Sequence, residues 1–108
     1  MNGRGLTPIV SEISHIQRII EAVASVWGIE SLMILGRGRR QPHAFARQLC
    51  MALAYQETRL SLQQVGKCFD NRNHGTVIHA INSINKARLY PHIGPLIDKV
   101  MKEIKAEA

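Results

Sequence analysis

The chain has 108 residues, of which 45% are apolar, and a formal net charge of +6. That length fits one domain over residues 1–108, with 1–8 expected to be flexible, and the apolar share fits a folded core rather than a disordered segment. No apolar run approaches the roughly 20 residues of a membrane span and MNGRGLTPIV holds no signal-peptide core, so a cytoplasmic protein is expected, with its positive charge favouring nucleic acid over an anionic membrane as partner.

Ile9, Ile13, Ile16, Ile20, Val23 and Trp27 recur at alternating spacings of four and three. They trace one stripe of an amphipathic helix, with Glu12, Arg18, Glu21 and Ser25 off it. Thr7 before Pro8 reads as N-cap and first helical residue, and Gly28 as the stop. The stripe is shorter than three heptads, which favours packing into a core over a coiled coil, and Trp27 is expected to be largely buried.

Ser31 is a candidate cap for a short helix, LMIL, that ends at Gly36. GRGRRQ, from Gly36 to Gln41, puts three arginines and two glycines in six residues, a mobile cationic loop. Pro42, at a first helical position, opens a helix to about Glu57. Its expected buried stripe is Phe45, Leu49, Ala52 and Leu53, with Arg47 and Gln48 off it. SLQQ has the form of a capping box, Ser61 capping and Gln64 reaching back, ahead of a short helix through Leu62, Val65 and Phe69.

The stretch DNRNHGTVIHA, Asp70 to Ala80, crowds polar turn-forming residues ahead of another helix. Asn73 is a good N-cap with Thr76 three residues on, and Val77, Ile81 and Ile84 give an inner face running to about Leu89. YPHIGP breaks the chain. Leu96, Ile97, Val100, Met101 and Ile104 then form a final amphipathic helix. No segment alternates strictly between apolar and polar residues, so the expected class is all-α.

Two short helices joined by a turn, the second opening with polar residues, outline a helix-turn-helix. A helix fits the major groove of B-DNA with its N-terminal residues at base edges, and free N–H groups at that end favour phosphate. Arg72 is then a phosphate contact, Asn73 a bidentate amide, His74 an imidazole reader and Thr76 a methyl-bearing hydroxyl. The plainer alternative is that Asn73 only caps, Thr76 completes the cap and His74 is a solvated surface residue.

Little points to other chemistry. Cys50 and Cys68 stand 18 residues apart without a CxxC, as free thiols. The histidines form no HExxH, and no carboxylate pair or nucleophile–base pair stands out, so neither a metal, a cofactor nor an enzyme is expected. There is no GxxxxGK[ST] loop, hence no nucleotide binding in this chain.

Ala46 to Ile84, ARQLCMALAYQETRLSLQQVGKCFDNRNHGTVIHAINSI, resembles the C-terminal DNA-binding domain of the bacterial chromosomal replication initiator DnaA. That family shows an Arg-Gln-x-x-Met-x-Leu helix, a Ser-Leu-x-x-Ile-Gly-x-x-Phe helix and a Gly-Arg-Asp-His-Thr-Thr-Val signature. The resemblance runs from about Ile13 to Leu89. It implies a compact multi-helix domain around a helix-turn-helix, similar in outline to the Trp repressor.

By the same resemblance, base contacts fall on Asn73, His74, Gly75 and Thr76. Phosphate contacts fall on Arg37, Arg39, Arg40, Arg47, Ser61 and Arg72. Asn73 replaces the family Asp, Gly75 the first Thr, Phe45 a minor-groove arginine, and Asp70-Asn71 a glycine pair. The implied function is sequence-specific binding of double-stranded DNA in replication initiation or its regulation, close to the nucleoid. Met1 and the extra end helix favour a stand-alone protein. An RNA-binding or mobile-element accessory domain and a protein-interaction module remain alternatives on the same scaffold, because arginines grip either phosphate backbone.

Overall fold

In the computed structural model, which describes residues 10–106, every regular element is a helix. They are α1 (Val10–Trp27), α2 (Ser31–Leu35), α3 (His43–Glu57), α4 (Leu62–Cys68), α5 (His74–Ala87) and α6 (Gly94–Ala106). The expected start at Thr7 and Pro8, and Ile9 of the first stripe, lie outside the described residues.

α3 is the centre of the fold, packed against α1, α2, α4 and α5. This is why its buried set is wider than one stripe. Ala46, Arg47, Leu49, Cys50, Met51, Ala52, Leu53 and Ala54 are all buried. The alanines let neighbouring helices approach on several sides. Each fully buried Leu, Ile, Val or Met contributes about 1.5–3 kcal/mol of hydrophobic free energy. Phe45, expected inside, is only partly buried.

α1 lies across α3 and α6 and also touches α2, so its buried arc is broad. It takes in Ile16, Ile19, Ile20, Ala22, Val23 and Ala24, while Ile13 of the expected stripe is exposed. Trp27 packs against the core, in line with expectation. It is partly buried at the end of the helix, its ring 5.7 Å from that of Phe45 and tilted by 39°. α1 stops at Gly28, whose φ of +69° suits a residue without Cβ. The amide of Ile29 turns back to the carbonyl of Ala24 at 3.0 Å, closing the helix end.

Two helix starts differ from the sequence expectation. Ser31 is the first residue of α2, not its cap; Glu30 holds the cap position and makes no side-chain cap bond. Pro42 sits in the cap position of α3 rather than the first turn. The side-chain oxygen of Gln41 accepts from the amide of Phe45 at 3.0 Å, supplying what proline cannot. At the C-terminal side, α5 ends at Ala87, and α6 buries Ile97, Val100 and Ile104 against α1.

Candidate nucleic-acid interface

α4, a tight turn and α5 form the helix-turn-helix, with α5 also packed on α3. Ser61 and Gln64 make the capping box of α4: the amide of Gln64 donates to Ser61 Oγ at 3.1 Å, and the amide of Ser61 to Gln64 Oε1 at 2.9 Å. Asn73 caps α5, its Oδ1 accepting from the Thr76 amide at 2.9 Å and from Thr76 Oγ at 3.2 Å. Between them, Phe69 is fully buried and anchors the turn.

The turn depends on one close backbone approach. The amide of Arg72 donates to the carbonyl of Gly66 at 2.8 Å, and a Cβ on Gly66 would run into the carbonyl oxygen of Arg72. Asp70 and Asn71 take left-handed conformations, φ +60° and +58°. Asp and Asn tolerate that region better than other residues with a side chain. These two residues therefore serve the turn.

Most of the residues singled out from the sequence line two hollows beside the start of α5, although Asn73 and Gly75 line neither. One, of about 330 Å³, is lined by Arg37, Arg39, Arg47, Arg72 and Thr76. The other, of about 550 Å³, is lined by Ser61, His74, Tyr55 and Arg59. Arg40 is exposed but lines neither. His74 and Gly75 are exposed at the start of α5. Ile78, His79 and Asn82 extend the same outward side and are exposed too. Sequence reading had passed over these three, although their spacing from His74 and Gly75 was a usable signal.

Arg47 is a correction. Expected to face phosphate, it is 5% exposed and turned inward. Its Nε donates to the carbonyl of Ile34 at 2.6 Å, Nη1 to Gly38 at 2.8 Å and Nη2 to Met33 at 3.0 Å. The physical reason is that the last carbonyls of α2 and the loop after it lack helical partners, and a guanidinium fork satisfies three at once. Burial, with Arg72 close by, lowers the Arg47 pKa, while the neighbouring Cys50 raises it.

Two further expectations change in detail. A two-point adenine contact by Asn73 needs the side-chain oxygen that the helix start already holds, so only its amide N–H groups are left for pairing. Arg37 is exposed yet paired: Nε lies 2.7 Å from Asp70 Oδ2, and Nη2 donates to the Asp70 carbonyl at 2.6 Å. Arg72 sends Nη2 to the carbonyl of Gly36 at 3.1 Å, while its Nε is buried without a partner among the described residues. The thiols of Cys50, buried in α3, and Cys68, partly buried, are free. Among the described residues no cluster of His, Cys, Asp and Glu could hold a metal ion, and no helix is long and apolar enough to cross a membrane.

Residues 16–84, which hold α2 to α4, about two thirds of α1 and most of α5, match the family model described as the bacterial dnaA protein helix-turn-helix. The chain belongs to this family. It is 40% identical over 70 residues to the chromosomal replication initiator protein DnaA of Neisseria meningitidis serogroup B, covering 65% of this chain and 14% of that protein. The initiator of Chlorobaculum tepidum is 38% identical over 71 residues, 66% of this chain and 14% of the relative. The initiator protein DnaA 2 of Protochlamydia amoebophila is 37% identical over 71 residues, 66% of this chain and 16% of the relative. The chain thus spans about a seventh of the length of these relatives. What it shares with them is the DNA-binding helix-turn-helix, not a catalytic segment.

Proposed function

We propose that this domain binds double-stranded DNA in a sequence-specific way, with α5 lying in the major groove. The observation that carries the reading is the exposed start of α5, His74 and Gly75, flanked by the arginine-lined hollow within a DnaA-type helix-turn-helix. Asn73, through its amide N–H groups, with His74, Gly75 and Thr76, meets base edges. Arg39, Arg40, Arg72 and the hydroxyl of Ser61 meet phosphates on either side. In the cell this places the protein in the cytoplasm at the nucleoid, acting at a replication origin in initiation or its regulation.

The physical division of labour is the usual one: phosphate contacts fix register and supply affinity, and base contacts choose the site. The cap takes the Thr76 amide, and the start of α5 at His74 and Gly75 is exposed, where the helix dipole favours a phosphate beside the groove. Fluorescence titrations over a salt series test the reading, using duplex DNA, duplex RNA and single strands. Duplex DNA should bind tightest, with affinity falling linearly in log salt, and selection from a random duplex pool should enrich one shared site. Tighter binding of RNA, or a pool without enrichment, would overturn it.

A further inference from the structure

The cationic loop is held more firmly than its composition suggests, and by arginines. Arg72 Nη2 binds the carbonyl of Gly36, Arg47 Nη1 binds that of Gly38, and between them Arg37 reaches 33 residues along the chain to Asp70. The Arg37 fork makes two contacts, one to the Asp70 carboxylate and one to the Asp70 main chain. Asp70 stands in the turn between α4 and α5. The side chains of Arg39 and Arg40 make no hydrogen bond or ion pair among the described residues, and both are exposed.

We propose that the Arg37–Asp70 pair is a staple that fixes the basic loop to the turn of the helix-turn-helix, so that Arg37 positions the loop while phosphate contact falls to Arg39 and Arg40. The loop and α5 approach DNA from different parts of the chain, and their relative placement decides whether both can touch one duplex. Gly36 and Gly38 flank Arg37 and leave the loop backbone free to rotate, so side-chain contacts must set its position. A guanidinium whose Nε and one Nη are directed at the same residue is oriented, not merely neutralised. With its charge offset by a carboxylate, Arg37 releases no counterion on DNA binding, and neither gains nor loses salt dependence for the domain.

The inference rests on the duplex-DNA reading for its first test and is independent of it for the second. In the first, the salt slope of duplex binding is measured for Arg37→Ala, Arg39→Ala, Asp70→Gly and the Arg37→Ala/Asp70→Gly double variant. Glycine is chosen because it accepts the +60° φ of residue 70 without strain. Arg39→Ala should flatten the slope of log K against log salt by about 0.9, whereas Arg37→Ala should weaken binding severalfold and leave the slope unchanged. Asp70→Gly frees Arg37, so its slope should steepen by about 0.9, and adding Arg37→Ala should take that gain away. A slope loss in Arg37→Ala equal to that in Arg39→Ala would make Arg37 a phosphate ligand and overturn the proposal.

The second test needs no DNA. In nitrogen-15 relaxation of the free protein, Gly38 and Arg39 should have order parameters near those of the helices, and Arg37→Ala should lower them towards about 0.6 or below. Unchanged values in that variant would overturn the staple even if DNA binding is as proposed. Lowered values in a protein that binds no duplex would retain the staple and refute the function.

Discussion

Arg47 Nε donates to the carbonyl oxygen of Ile34 at 2.6 Å, deep beneath the basic loop. With the bonds to Gly38 and Met33, this one side chain satisfies two carbonyls that the short helix α2 leaves open and one in the loop after it. Arg47→Ala leaves them facing a cavity, and should destabilise the domain by about 2–4 kcal/mol in urea unfolding. Arg47→Lys should recover little, because a single ammonium cannot span the fork. Equal stability of the lysine variant and the parent would show that charge, not the planar fork, is what α2 requires.

How much of this was legible in the sequence follows chain separation. Ser61 with Gln64, and Asn73 with Thr76, are caps three residues wide, and both were readable because capping chemistry is local. The helix-turn-helix followed from them and from the resemblance. Arg47 looked like a surface arginine because periodicity assigns one buried stripe per helix, whereas α3 is packed on several sides. The Arg37–Asp70 pair spans 33 residues, and no pattern along the chain announces it. The packing of Trp27 against the core was legible from its place on the α1 stripe, whereas its tilted contact with Phe45 was not.

The difference in burial between two aromatics has a measurable form. Phe69, fully buried in the turn, and Trp27, partly buried against Phe45, are both large aromatics. Phe69→Ala should cost about 3–5 kcal/mol, and Trp27→Ala clearly less, under about 3 kcal/mol. Chemical denaturation of the two variants side by side decides it. A Trp27 variant at least as unstable as the Phe69 variant would restore the tryptophan as the main anchor.

Gly66→Ala inverts the usual helix rule. Within a helix the change normally gains up to about 1 kcal/mol from propensity. Here the new methyl meets the backbone carbonyl of Arg72, which no side-chain rotation can move. The turn must open, and the Arg72–Gly66 hydrogen bond must lengthen. Net destabilisation of about 1–3 kcal/mol or more is expected, together with weaker duplex binding as α5 shifts against α4. A melting temperature above that of the parent would mean the turn has slack.

Cys50 makes the stability of the domain depend on alkaline pH. Complete burial pushes its thiol far up, only partly offset by the charge of Arg47. A group whose folded pKa is raised stabilises the fold fully below its unfolded pKa, and loses that contribution as pH rises above it. Unfolded cysteine titrates near 8.5, so stability should be flat up to about pH 8 and then fall by up to about 1.4 kcal/mol per pH unit. Cys68, partly buried and also shifted upward by burial, adds a smaller decline in the same direction. Urea unfolding between pH 7 and 9.5 should show the fall in the parent and a shallower one in Cys50→Ala. Alkylating reagents at pH 8 should label Cys68 well before Cys50, since only the thiolate reacts.

The last prediction concerns Gly75, where the resemblance in sequence implies a threonine in the family. The site is exposed on the face proposed to meet bases, and a Cβ there would lie 3.2 Å from the Asn73 Oδ1 that caps α5. Gly75→Thr therefore has two opposed effects on the fold. It gains a few tenths of a kcal/mol of helix propensity, and it crowds the cap by a few tenths of an ångström. Overall stability should change by less than about 1 kcal/mol. Its effect on recognition should be larger. In the proposed docking, a threonine would place a methyl against a thymine methyl and a hydroxyl within reach of base acceptors, beside the bases proposed for His74. Sites selected by Gly75→Thr from a random duplex pool should gain a base preference at one position that the parent leaves open, amounting to roughly 1–3 kcal/mol. The salt slope should stay the same, because no charge is changed. Identical selected sites for variant and parent, at equal melting temperature, would mean that residue 75 does not face the bases and that α5 docks differently from this account.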